Sequence, residues 1–173
     1  MTKKAFGLLA LVVLLVSGCK KGDLPQESYY FTFKVKIDNR ITEPTIVNGF
    51  YGTLIDKNGK VKSKKDTVQE NTNPIARNAI YLFETEHKDE IEKTALESKG
   101  KTVYSLKKIQ KADIKPKFII IPNKHGFFQF DTSNIPYLAL IRVKGNLAYN
   151  QSGLVPLPAL TGELIKLDLI LDY

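Results

Sequence analysis

The stretch KFIIIPNKHGFFQFD, Lys117 to Asp131, decides the fold. Two apolar runs, Phe118 to Ile121 and Phe127 to Asp131, stand on either side of Pro122-Asn123-Lys124-His125-Gly126. A glycine-containing turn between runs of that length predicts a β-hairpin, the building unit of an antiparallel sandwich. Strand alternation then places Phe128 and Phe130 in the core and turns Gln129 outward.

Working outward, Tyr137 to Lys144 (YLALIRVK) reads as a strand that begins in the core and ends in solvent. In Leu164 to Tyr173, Ile165, Leu167, Leu169, Leu171 and Tyr173 face one way, and Lys166, Asp168 and Asp172 the other. Between these two, LVPLPAL is broken by Pro156 and Pro158 and is an edge strand at most. Upstream, Phe50 to Ile55 ends in Asp56-Lys57-Asn58-Gly59, whose Asn and Gly favour the positive φ of a tight turn. Gly52 inside that strand calls for a bulge or a close approach. Asn78 to Glu84 sets Ala79, Tyr81 and Phe83 on one face and Ile80 and Leu82 on the other. Tyr29 to Ile37 (YYFTFKVKI) alternates strictly, and Thr45 to Val47 is a candidate edge pairing.

Two segments interrupt the strands. Residues 60–73 are polar and Lys-rich without periodicity, the pattern of a solvated loop. Residues 85–116 open with EHKDEIEKTALESKG, helix formers with acidic residues early and Lys99-Gly100 at the end, which predicts a helix from Lys88 to Ser98. Its apolar face is only Ile91, Ala95 and Leu96, too narrow for a second core, so it is expected on the surface. Val103, Leu106 and Ile109 either lengthen it or pack as a loop. About seven strands and one short helical insertion predict an all-β fold, an antiparallel Ig-like β-sandwich.

The chain has 173 residues, a formal net charge of +8 and a single cysteine, Cys19. One domain of this size buries enough surface to need no disulfide. Lys3 and Lys4 precede an apolar run from Ala5 to Val16, the layout of a secretory signal and too short for a membrane-spanning helix. Val16-Ser17-Gly18-Cys19 resembles the lipobox of bacterial lipoproteins, with Val where Leu is commoner. That resemblance implies lipidation of Cys19, with a signal peptide over residues 1–18 and a tether over 19–28, ahead of the β-sandwich domain that the strand pattern predicts over 29–173. Removing Lys3 and Lys4 from the 26 basic side chains leaves 24 against 18 acidic ones, still basic by six. For an exported chain, anionic head groups, acidic polysaccharide or an acidic envelope protein are the expected partners, and nucleic acid is not.

The order of turns and strands resembles the carboxypeptidase regulatory-like domain, a transthyretin-like (prealbumin-like) sandwich. The resemblance rests on Gly52 to Gly59 as the strand and Asp-x-x-Gly turn, and on Pro74 to Leu82 as the Pro-initiated strand. Asn123 to Phe130 matches the Asp-x-x-Gly-x-Phe-x-Phe turn with Asn for Asp, and Tyr137 to Val143 with Gly145 the Tyr-led strand. It covers about Phe50 to Tyr173, and residues 60–73 and 85–116 depart from it as insertions. It implies a recognition or structural module rather than a catalyst.

Little in the chain points to catalysis. It has two histidines, His87 and His125. Glu84-Thr85-Glu86-His87 has the spacing of a di-iron ligand pair but lacks a second copy. Asp56 to Gly59 lacks the later acidic ligands of a calcium loop. No catalytic residue, metal or cofactor is expected. The candidate site is a cationic surface formed by Lys101, Lys107, Lys108, Lys111 and Lys115, joined by the lysines between Lys57 and Lys65. The function these features predict is that of a non-catalytic, lipid-anchored binding or scaffold module at the cell envelope, on the outer membrane or cell surface. A hydrolase or inhibitor-type lipoprotein with its site in the helical insertion is the alternative.

Overall fold

The computed structural model describes residues 37–60, 78–132, 135–144 and 146–173. The expected strand Tyr29 to Ile37, all but its last residue, lies outside these, as do Cys19, the tether and nearly all of the 60–73 insertion. Two sheets form the predicted sandwich. The strands are β1 (Gly49–Asp56), β2 (Ile80–Glu84), β3 (Ala95–Ser98), β4 (Lys101–Ser105), β5 (Phe118–Ile120), β6 (Phe127–Phe130), β7 (Tyr137–Lys144), β8 (Leu147–Tyr149), β9 (Leu164–Lys166) and β10 (Leu169–Leu171). A four-stranded sheet places β1 between β6 and the β9 and β10 segments, and a six-stranded sheet runs β3-β4-β8-β7-β2-β5.

The expected hairpin is not one. Phe118–Ile120 pairs with β2 in the larger sheet, whereas Phe127–Phe130 pairs with β1 in the smaller one. The Pro122 to Gly126 turn therefore carries the chain from one sheet to the other. Both arms pair, but with different partners. Phe128 and Phe130 are buried as expected, and Gln129 stands on the outer face. The sandwich is also not purely antiparallel, because β9 and β10 both run parallel to β1. The expected single strand from Leu164 to Tyr173 is split at Leu167 and Asp168, and Gly52 is the reason. A Cβ at Gly52 would collide with the Leu167 carbonyl. The ladder is bridged there by the Leu167 amide on the Tyr51 carbonyl (2.7 Å) and by the Thr53 amide on Asp168 Oδ1 (2.9 Å).

The centre of the larger sheet, β2 with β7, is buried on both sides. On its inner face Ile80, Leu82, Tyr137, Ala139 and Ile141 meet Phe50, Leu54, Phe128, Phe130 and Leu169 of the smaller sheet. On its outer face Ala79, Tyr81, Phe83, Leu138 and Leu140 meet Ile91, Leu106, Ile109, Ile114 and Leu154. The insertion thus forms the second core that its narrow helical pattern argues against. The pattern misleads because the expected helix is only half helical: α1 (Lys88–Glu92) follows a 3-10 turn (Thr85–His87) and gives way to β3. Lys99 and Gly100, read as a C-terminal cap, have φ of 54° and 70°, the two positive values of a tight hairpin turn between β3 and β4. Leu106 and Ile109 belong to a second short helix, α2 (Leu106–Lys111). The expected wet end of β7 is buried too, with Arg142 and Val143 at 4% and 8% exposure.

Asn123 fixes the crossing between the sheets. It is buried, and its Oδ1 accepts the amides of His125 (2.9 Å) and Phe127 (3.1 Å), which folds the turn on itself. Its Nδ2 donates to the carbonyls of Asp38 (3.2 Å) and Ile41 (2.6 Å), which pins the segment before β1. An aspartate could make the first two bonds and not the last two, so this position needs the amide. Asn123→Asp would set a carboxylate against two carbonyl oxygens in a buried site. The expected loss is about 2 kcal/mol, seen as a lower urea midpoint with an unchanged slope.

Candidate functional site

Helix α2 carries the centre of the expected cationic surface. Ser105 caps its N-terminus by accepting from the Lys108 amide at 3.3 Å. Leu106 and Ile109, three residues apart, are fully buried in the outer core and hold the helix on the sheet. The opposite positions Lys107, Lys108, Gln110 and Lys111 are exposed. A short helix of this kind is stable only through such packing. Its lysines are therefore presented on a rigid platform.

The expected lysine set does not act as one unit. Lys115 pairs with Asp113 at 3.2 Å, and Lys117 with Glu84 at 3.2 Å. Lys101 lies at the far end of β4 from α2, about 13 Å of strand away, where its Nζ bonds the Asp172 carboxylate. Lys57, from the other lysine run, approaches the same carboxylate at 3.9 Å. Of the expected set, Lys107, Lys108 and Lys111 have no acidic partner among the described residues and form the uncompensated part of the surface. Lys62, Lys64 and Lys65 lie outside the described residues.

The Asp172 cluster was not legible in the sequence, because it joins segments far apart along the chain. Besides Lys101 and Lys57, it brings the Tyr173 hydroxyl within 2.8 Å of Ser98 Oγ and Lys99 Nζ 4.5 Å over the Tyr173 ring. Tyr149 packs on Tyr173 with ring centroids 6.4 Å apart. These contacts clamp the β3–β4 hairpin to the last strand of the smaller sheet.

The remaining sequence candidates fall in ordinary surroundings. Asp56 Oδ1 accepts the amides of Asn58 (2.9 Å) and Lys60 (2.8 Å), so its carboxylate is a turn former. His125 is an exposed turn residue whose amide bonds Asn123. Ligand atoms of Glu84, Glu86 and His87 come within 4.8 Å of one another, with Glu84 also bound to Lys117 and His87 Nδ1 3.5 Å from Glu90. Among the described residues no helix is long and apolar enough to cross a membrane.

Electrostatics of the clamp give a pH test. The hydrogen bond from Lys101, with its charge and that of Lys57, lowers the Asp172 pKa below the ordinary carboxylate value of 3.8. A carboxylate depressed on folding stabilises the fold above its unfolded pKa, and that contribution is lost as pH falls through the folded value. Asp172→Asn is therefore expected to lower stability near neutrality and to differ least from the parent in strong acid. Urea titrations at a series of pH values check this, and a constant difference at every pH would contradict it.

No protein-family model, curated protein or solved structure matches this chain.

Proposed function

We propose that the protein is a non-catalytic binding or scaffold module of the bacterial envelope, held to a membrane through lipid on Cys19. Its lysine face, Lys107, Lys108 and Lys111, meets anionic groups of that envelope, whether lipid head groups, acidic polysaccharide or an acidic envelope protein. The observation that carries the reading is that three exposed lysines without an acidic partner among the described residues share one short helix. Lys57, Lys101, Lys115 and Lys117 each have an acidic neighbour, while the three on α2 have none among the described residues and sit on a helix fastened to the sheet. Uncompensated like charges cost electrostatic energy that an anionic partner recovers. Support for the anchor is the charged, apolar and small-residue order that ends at Cys19. Two or three acyl chains, at about 0.8 kcal/mol per buried methylene, hold such a chain on a bilayer. The carboxypeptidase regulatory-like resemblance belongs to the same reading, since its marked positions Asp56 to Gly59 and Asn123 to Gly126 are turn formers that leave the lysine face free.

The test uses vesicles containing phosphatidylglycerol and a column of acidic polysaccharide. The full chain is expected in the detergent phase, and Cys19→Ala in the aqueous phase. In the Cys19→Ala background, retention on either anionic material is expected to fall as salt rises. Reversal of Lys107, Lys108 and Lys111 to Glu is expected to abolish that retention without changing thermal stability. Detergent partition of Cys19→Ala at the mature size would remove the anchor, and equal retention after charge reversal would remove the lysine face.

A further inference from the structure

We propose that Asn58 is a modification site, where the side-chain amide converts with water to aspartate and isoaspartate through a cyclic imide formed with the Gly59 nitrogen. Asn48, the other asparagine followed by glycine, is protected by its place in the fold. The proposal goes beyond the lysine face of α2 and does not depend on it.

The reaction needs no group beyond the two residues and water. The backbone nitrogen after the asparagine attacks the side-chain Cγ, a nitrogen–carbon bond forms, and the side-chain nitrogen leaves as ammonia with the proton the backbone nitrogen gives up. Water then opens the five-membered imide. Cleavage at Cγ leaves aspartate, and cleavage at the main-chain carbonyl leaves isoaspartate, whose backbone runs through the former side chain. In sum one water enters and one ammonia leaves. A side chain on the attacking residue crowds the ring, and glycine has none. Whether an Asn-Gly pair reacts is then decided by how freely its backbone can turn.

At Asn58 it turns freely. Residues 57–60 are all exposed, and a Cβ added at Gly59 would meet nothing within 4 Å. The Gly59 amide donates to the Asp56 carbonyl at 2.9 Å, and this bond must open before the nitrogen can attack. Opening it uncovers no buried side chain, so it is a local event of low cost. Asn48-Gly49 has the same two residues and none of that freedom. Asn48 Nδ2 donates to Asp131 Oδ1 at 2.8 Å, and its Oδ1 accepts the Gly162 amide at 2.8 Å. The Gly49 amide donates to the Glu163 carbonyl at 2.8 Å. Gly49 is buried, and a Cβ there would collide with the Phe130 carbonyl. Attack at Asn48 therefore requires opening the start of β1, where β6 and β9 pair with it.

Conversion at residue 58 changes the turn in two ways. It adds a negative charge between Lys57 and Lys60, two residues from the Asp56 carboxylate. Isoaspartate also lengthens the backbone by a methylene inside the turn. The bonds that close it, the Asp56 amide on the Lys60 carbonyl at 2.7 Å and the Lys60 amide on Asp56 Oδ1 at 2.8 Å, then lose their register. The change falls at the end of β1, where Asp56 pairs with Leu171 and Lys57 approaches Asp172 at 3.9 Å.

The test is to age the full chain in detergent at mildly alkaline pH in oxygen-18 water, folded and in concentrated urea, and to map the products by peptide mass spectrometry. In the folded chain Asn58 is expected to convert at least about tenfold faster than Asn48, whose opening costs more. The products are expected to carry the heavy oxygen, with isoaspartate among them. In urea the two sites are expected to convert at similar rates. Asn58→Gln is expected to leave the peptide spanning the turn unconverted over the same period. Conversion of Asn48 as fast as Asn58 in the folded chain, an unchanged Asn58 over a period in which both convert in urea, or a twofold or smaller slowing in Asn58→Gln would each overturn the proposal.

Discussion

The constraint on which the rest depends is the burial of the β2–β7 ladder on both of its faces. Ile80, Leu82, Tyr137, Ala139 and Ile141 look into the sandwich, and Tyr81, Phe83, Leu138 and Leu140 look out of it. Fully burying one such large apolar side chain is worth about 1.5–3 kcal/mol, so neither face tolerates water. The smaller sheet can cover only one of them. The other must be covered by chain, and the chain that does so is the 85–116 insertion with Leu154. What the sequence presents as an appendage is a third layer of the fold.

Features set by local chemistry were readable in the sequence. The two-sided pattern of Asn78 to Glu84, the turn at Asp56 to Gly59, the close approach at Gly52 and the broken strand at Pro156 and Pro158 are local properties, and each folds as read. Most of the failures are matters of partner choice. Phe118 to Ile121 and Phe127 to Asp131 have the pattern of paired strands whether they pair with each other or with β2 and β1, and periodicity carries no information about which. The same limit hid the parallel pairing of β9 and β10 with β1. The helix at Lys88 to Ser98 failed for a different reason: Glu, Lys and Ala favour a helix locally, but β4 offers Ala95 to Ser98 a ladder that overrides a weak propensity.

The candidate site was half legible. Lys107, Lys108 and Lys111 stand together on one surface as the sequence implied, because helical spacing alone puts Leu106 and Ile109 on the other side. Lys101 and Lys115 could not be separated from them without knowing that Asp172 and Asp113 lie alongside. Asp172 is distant from Lys101 in sequence and meets it only because β10 lies parallel to β1 and ends beside the β3–β4 hairpin. The clamp and the insertion core are consequences of one arrangement, in which the inserted β3–β4 hairpin is tied to the C-terminal residues.

The central claim is that the insertion is part of the cooperative core. It is tested most directly by Ile109→Ala, followed by equilibrium urea unfolding with near- and far-ultraviolet probes. Ile109 is fully buried between α2 and the sheet. If the outer layer is integral, the whole fold loses about 2–5 kcal/mol in one transition that both probes report together. A loss below about 0.5 kcal/mol, or a separate early transition confined to the insertion, would contradict it.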